Sequence, residues 1–234
     1  MWNIPENVTE DASLHNRGQV FRDRIGAAHC LASLMTEFRN ANAVVAGIPA
    51  GGIPLAVTIA EELQLPLAVL VVSKITLPWN TEAGYGAVAA DGTWMLNDNL
   101  VKQAQLDQAT IDSGRDETGN KVRRRAAQFN GILGPVDFEG KSVLIVDDGL
   151  ASGFTMRVAI ASAGQQGARH IVVAVPTGHA NAVEDIAGRC DHVYCANVRE
   201  GYRFAVADAY EEWTDVSEAK AIKLVQAYTE EHAN

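Results

Sequence analysis

The stretch Lys141 to Arg157, reading KSVLIVDDGLASGFTMR, constrains the fold of this chain more than any other. Val143 to Val146 is a short, β-branched apolar run without polar alternation, which reads as a central strand covered on both faces, as in a parallel sheet. It ends in adjacent carboxylates, Asp147 and Asp148, followed by a small-residue turn, Gly149 to Gly153, and a helix-like segment from about Thr155. Strand, turn and helix in this order place the turn at the carboxyl end of the strand, where open α/β sheets bind ligands. The two acids can accept hydrogen bonds from vicinal hydroxyls, so they suit a ribose better than an anion. Ala151, Ser152, Gly153, Phe154 and Thr155 bring backbone N–H groups and two hydroxyls to a helix amino terminus, where the macrodipole favours a phosphate.

The same pattern recurs along the chain. Ala43 to Ile48 is a second buried-strand run, ending in Pro49, Ala50, Gly51 and Gly52 before a helix over Ile53 to Leu63. Paired glycines let backbone amides approach an anion closely, although a plain tight turn also uses them. Leu67 to Ser73 reads as a third strand with Lys74 directly after it, either a cation at the ligand edge or an exposed gatekeeper. Ile171 to Val175 and Val193 to Ala196 read as further strands, and apolar spacing of three and four predicts a helix over Phe21 to Arg39. Ile75 to Asp98 reads as a flexible segment leading into a hairpin at Asp91 and Gly92. Gly84 to Ala89 fits a dinucleotide glycine pattern, but no buried strand precedes it and no helix follows, so a nicotinamide site is rejected.

Asn99 to Phe129 reads as a helical excursion, broken near Ser113 and Gly114 or at Gly119 and forming a hood or a dimer contact. Strands alternating with helices give the expected fold class: α/β, a largely parallel twisted sheet with flanking helices plus a small hood and flexible-loop region. The chain is expected to be a single domain over 1–234, with a core of about 21–73 and 141–213 and the loop, hairpin and excursion over 74–140.

Charge narrows the partners. A formal charge of −10 and a pI near 5.0 argue against a broad footprint on nucleic acid. The basic cluster Arg123 to Arg125 points in three directions on a helix and is expected to be solvated. Arg22 and Arg24 could approach a phosphate, but arginines at a helix start are more often solvated. His179, opening a helix, is either an acid–base group or, more commonly, a cap. Apolar runs of strand length leave no membrane span, and the polar opening Met1 to Asn16 is neither a signal nor a transit peptide, so a cytoplasmic location is expected. Cys30, Cys190 and Cys195 match no zinc spacing and are expected to be reduced packing residues.

VLIVDDGLASGFT resembles the signature with which type I phosphoribosyltransferases bind 5-phosphoribosyl 1-pyrophosphate (PRPP). The chain is most similar in overall pattern to bacterial and archaeal members of unassigned substrate, which share a Phe-x-Asp-Arg segment like Phe21 to Arg24. The resemblance implies that Asp147 and Asp148 hold the ribose hydroxyls, that Ala151 to Thr155 wrap the 5-phosphate, and that Ala50, Gly51 and Gly52 receive the pyrophosphate. Many members carry a basic residue where this chain has Ala50, and Lys74 could supply the missing charge and act in catalysis. A mobile loop in such enzymes covers the substrates, making Lys74, Asn80, Glu82 and Tyr85 candidates for reaching in. Hypoxanthine-guanine members carry a further carboxylate at the position of Ala151, and Gly149 replaces a more usual aliphatic residue.

The resemblance further implies Mg2+ bound mainly through PRPP, no metal site made by the protein alone, a small-molecule nitrogenous acceptor, and a homodimer. The expected function is transfer of a 5-phosphoribosyl group to an unidentified acceptor with release of pyrophosphate. The alternative is a non-catalytic regulator that binds PRPP or a nucleotide. A hydrolase of a phosphorylated sugar would need a nucleophile or metal cluster that the sequence does not offer.

Overall fold

A computed structural model describes residues 4–232, without the side chains of Thr81 and Glu82, so the expected reach of Glu82 lies outside the described residues. In chain order the elements are β1 (Val8–Thr9), α1 (Arg24–Leu34), β2 (Ala43–Gly47), α2 (Ile53–Leu63), β3 (Leu67–Val69), β4 (Val72–Leu77), β5 (Asn80–Ala89) and β6 (Trp94–Leu96). There follow α3 (Asp98–Gln103), α4 (Gln108–Leu133), β7 (Ser142–Val146), α5 (Phe154–Gln165), β8 (His170–His179), α6 (Ala180–Ala187), β9 (His192–Arg199) and α7 (Glu218–Glu231).

Six strands form a wholly parallel sheet in the order β1-β9-β8-β7-β2-β3, with Val45 opposite Leu144 at its centre. The absence of alternation in Val143 to Val146 has the cause inferred for it. Leu144 and Val146 enter a core packed by α1, α2, α4 and α7, whereas Val143 and Ile145 enter a second core on the other face, packed by α5 and α6. All four are fully buried, so no polar side chain is tolerated in the run. Parallel strands joined by helices bring the β2, β7 and β8 turns to one edge, and this positions the site.

Several boundaries differ from expectation: the helix expected over Phe21 to Arg39 is confined to Arg24–Leu34, and the strands expected to end at Val175 and Ala196 run on to His179 and Arg199. The run Leu67 to Ser73 is not one strand: β3 ends at Val69, and from Val72 the chain joins the antiparallel sheet β4-β5-β6. A continuous apolar run carries no mark of the break, because β5 rather than the run itself supplies the partner. Ile75 to Gly86 is therefore two paired strands joined by a turn at Pro78 and Trp79 and not a flexible loop, although Asp91 and Gly92 do turn the β5–β6 hairpin.

Helix α4 runs unbroken through Gly114 and Gly119; the break falls earlier, before Asp107, whose carboxylate accepts from Thr110 N at 2.8 Å. Gly114 is present for a different reason, since a Cβ there would stand 2.1 Å from the Tyr85 hydroxyl. The triple arginine also divides: Arg125 is buried against α7, its Nε 3.2 Å from Glu218 Oε2 but off the hydrogen-bonding direction. Among the described residues no helix is long and apolar enough to cross a membrane.

Candidate ligand site at the carboxyl edge of the sheet

The turns after β2 and β7 interlock. A Cβ on Gly51 would lie 2.1 Å from Asp148 Oδ2, and one on Gly52 would lie 2.5 Å from the Val146 carbonyl and 2.9 Å from Asp147 Cα. Neither position accepts a side chain, so both glycines serve the close approach of one backbone to the other. The Pro49–Ala50 peptide between them and β2 is cis. Asp147 and Asp148 thus stand beside the Gly51–Gly52 turn and not merely near it in sequence pattern.

Each acid has its own surroundings. Asp147 Oδ1 accepts from Asp148 N at 2.8 Å. Burial raises its pKa well above the ordinary carboxylate value, and the neighbouring Asp148 charge raises it further. Asp148 Oδ2 accepts from Arg24 Nε at 3.0 Å and Nη2 at 2.7 Å. The side chains of this pair are 9% and 18% exposed, which makes it an enclosed, charge-assisted pair rather than a surface one. Arg24 is held from its other sides as well. Its Nη1 donates to the Thr214 carbonyl at 2.7 Å, and its guanidinium lies 3.9 Å from the Trp213 ring centroid. Tyr210 packs on Trp213 with centroids 5.1 Å apart and donates its hydroxyl to the Asp148 carbonyl at 2.6 Å.

The sequence-based expectation of a solvated Arg24 is corrected by this cluster. Its partner is 124 positions away, so nothing local marks it. Arg22 does stay at the surface, its side chain 74% exposed and 3.6 Å from Glu212.

The rest of the β7 turn crosses the end of β8. Leu150 N donates to the Thr177 carbonyl and His179 N to the Leu150 carbonyl, both at 2.9 Å, leaving Ala151 and Ser152 exposed. Gly153 takes a left-handed φ of 73° and begins α5 without a side-chain cap in hydrogen-bond contact. Phe154 N reaches Ser152 Oγ only at 3.4 Å, and Phe154 and Thr155 are partly exposed, so the first-turn amides of α5 are open to an added acceptor. Gly149 has a packing cause: a Cβ there would stand 2.4 Å from Val206, whose side chain fills the space.

The remaining candidates scatter. Lys74 lies exposed within β4 of the antiparallel sheet rather than at a strand end of the parallel one, its side chain against Gly84. Asn80 opens β5 and is exposed, but Tyr85 is fully buried, donating to the Thr110 carbonyl at 3.3 Å, and cannot reach in as expected. His179 is a cap: its Nδ1 accepts from Asn181 N at 3.3 Å while Nε2 lies 2.9 Å from the Gly201 carbonyl. Cys30, Cys190 and Cys195 are free thiols, and burial raises the pKa of each, that of Cys190 to about 12, so none is a ready nucleophile. Among the described residues no group of three or more His, Cys, Asp or Glu could hold a metal ion.

Comparison with known proteins places the chain by family and fold. The profile of the phosphoribosyl transferase domain matches residues 22–205. Two Mycobacterium tuberculosis proteins, MT0597 and Rv0571c, both named only provisionally as phosphoribosyl transferases, are 35% identical over 207 residues, or 88% of this chain. The chain spans about half the length of these relatives, 46% in each case. Among solved structures, TT1426 from Thermus thermophilus superposes with a TM-score of 0.73 and 29% identity, covering 89% of this chain and 98% of that one.

Proposed function

Because this chain belongs to the phosphoribosyl transferase family, we propose that it binds PRPP and moves the 5-phosphoribosyl group to a nitrogenous small-molecule acceptor, releasing pyrophosphate. The observation that carries this reading is the interlock of the acid pair with the Gly51–Gly52 turn, beside the uncapped start of α5. A sugar seated there would present its diol to Asp147 and Asp148 and its 5-phosphate to the amides of 151–155. Its C1 diphosphate would face Ala50, Gly51 and Gly52. Phosphate at a helix amino terminus gains from both the free donors and the dipole.

The residues at this edge supply position and charge rather than a covalent nucleophile. The acceptor nitrogen attacks C1 as the bond to pyrophosphate breaks, and the positive charge developing on the ribose ring lies next to an acidic turn. The thiols are unsuited to attack, and Lys74 remains a candidate for the leaving group only if the β4–β5 hairpin brings it over the edge. Magnesium fits as an ion held chiefly by the substrate's phosphate oxygens, because Asp148 Oδ2 is engaged by Arg24 and burial disfavours the charge on Asp147. Its contribution when bound would be to neutralise the departing pyrophosphate. Acceptor identity is open, and Ala151 weakens a 6-oxopurine assignment.

A regulator that binds PRPP without turning it over is the second reading. It is favoured by Ala50, which leaves the pyrophosphate turn without a cation of its own, and by the engagement of Asp148 with Arg24. Incubation of the protein with PRPP, Mg2+ and a panel of nucleobases and related nitrogen heterocycles separates the two. Pyrophosphate release stimulated by one acceptor is the expected result. Tight PRPP binding with no release above the acceptor-free background, across the panel, supports the regulator.

A further inference from the structure

The buried guanidinium of Arg24 has no part in the roles given so far. Its Nε and Nη2 donate to Asp148 Oδ2, and that same oxygen is the atom a Cβ on Gly51 would strike at 2.1 Å. Guanidinium and glycine turn are therefore separated by a single carboxylate oxygen. Position 50, in the same turn, carries only a methyl group. A diol that takes Asp148 Oδ2, the oxygen nearest the turn, competes with Arg24 for its lone pairs. Taking them would leave an enclosed, permanently charged guanidinium supported by the Thr214 carbonyl and the rings of Trp213 and Tyr210 but with no anion. A ligand that brings its own anion to the Gly51 turn removes that cost, because the Nε–Nη2 edge matches phosphate oxygens as well as it matches a carboxylate.

We propose that Arg24 is the cation of the Gly51–Gly52 turn, closed on Asp148 in the ligand-free protein and passed to the diphosphate of the sugar as the sugar's hydroxyls replace it. Trp213 and Thr214 hold one face and one nitrogen of the group throughout, so that the donor edge shifts within the site rather than leaving it. The exchange makes the site selective. Ribose 5-phosphate has the diol but no diphosphate, so where it takes Oδ2 it displaces Arg24 with nothing to satisfy the arginine. The proposal rests on the phosphoribosyl reading above and adds to it the residue that reads the leaving group.

Calorimetric titration of PRPP and of ribose 5-phosphate, each with Mg2+, into the wild type, Arg24→Gln and Arg24→Lys tests it. The wild type is expected to prefer PRPP. Arg24→Gln is expected to lose PRPP affinity roughly ten- to a hundredfold, the worth of one or two charged hydrogen bonds. Ribose 5-phosphate affinity is expected to hold or tighten, since Asp148 is released. Arg24→Lys keeps the charge but not the two-nitrogen edge, so it should fall between, and it serves if the glutamine variant does not fold. Comparing two ligands on one preparation cancels any loss of folded protein. Equal losses for both ligands, or an unchanged preference for PRPP, overturn the proposal and make Arg24 a scaffold residue. A wild type that binds neither sugar phosphate overturns the phosphoribosyl reading, and this proposal falls with it.

Discussion

Asp147 sits in an environment that works against its own charge, because burial and then the adjacent Asp148 both raise its pKa. With the folded value above the unfolded one, the carboxyl favours the fold most at pH below its unfolded value of about 4, and that contribution is lost as pH rises through the folded value. Asp147→Asn retains an oxygen to accept from Asp148 N and removes the ionisation. Its melting temperature is expected to exceed that of the wild type at pH 7 to 8, with the difference shrinking in acid, while PRPP binding weakens. A variant less stable than the wild type throughout that range would show that the carboxylate is structural. The acid pair itself was legible in the sequence because strand, acids, small turn and helix lie within seventeen residues, Lys141 to Arg157. Arg24 was not, because its place depends on a partner 124 positions away and on a ring from the carboxyl-terminal tail.

At the level of elements, α4 is fitted to the antiparallel hairpin through one glycine. Gly114 admits the Tyr85 hydroxyl, and Tyr85 and Phe129 are both fully buried in the same core. Gly114→Ala adds a methyl group where there is no space, and although alanine is the better helix former it is expected to destabilise by about 1–3 kcal/mol. Combining it with Tyr85→Phe removes the clashing hydroxyl, so chemical denaturation should show the double variant recovering part of that loss. A strictly additive pair would mean that the two residues do not meet. This explains why the sequence misled over the helical excursion: a glycine that breaks an isolated helix is tolerated where tertiary packing requires it. The end of β3 was equally hidden, since Leu67 to Val72 is apolar throughout and only pairing with β5 divides it. By contrast, β2, β7 and α2 appear close to where they were expected, because burial on both faces is written in the strand residues themselves and the paired glycines mark where α2 begins.

Over the whole molecule, six parallel strands gather three turns at one edge, and the two that carry the acid pair and the paired glycines touch through backbone as well as side chain. The net charge of −10 is compatible with an anionic substrate only if the edge itself compensates, and open helix amides together with Arg24 are the groups placed to do so. The most direct test is the melting temperature with and without PRPP and Mg2+, for the wild type and for the Asp147→Ala/Asp148→Ala double variant. At about a hundredfold excess over its dissociation constant a ligand adds roughly 2.7 kcal/mol, which for a domain of this size raises the midpoint by on the order of 5–10 °C. The account expects that rise in the wild type and none in the double variant. No rise in the wild type, or an equal rise in both proteins, would contradict it.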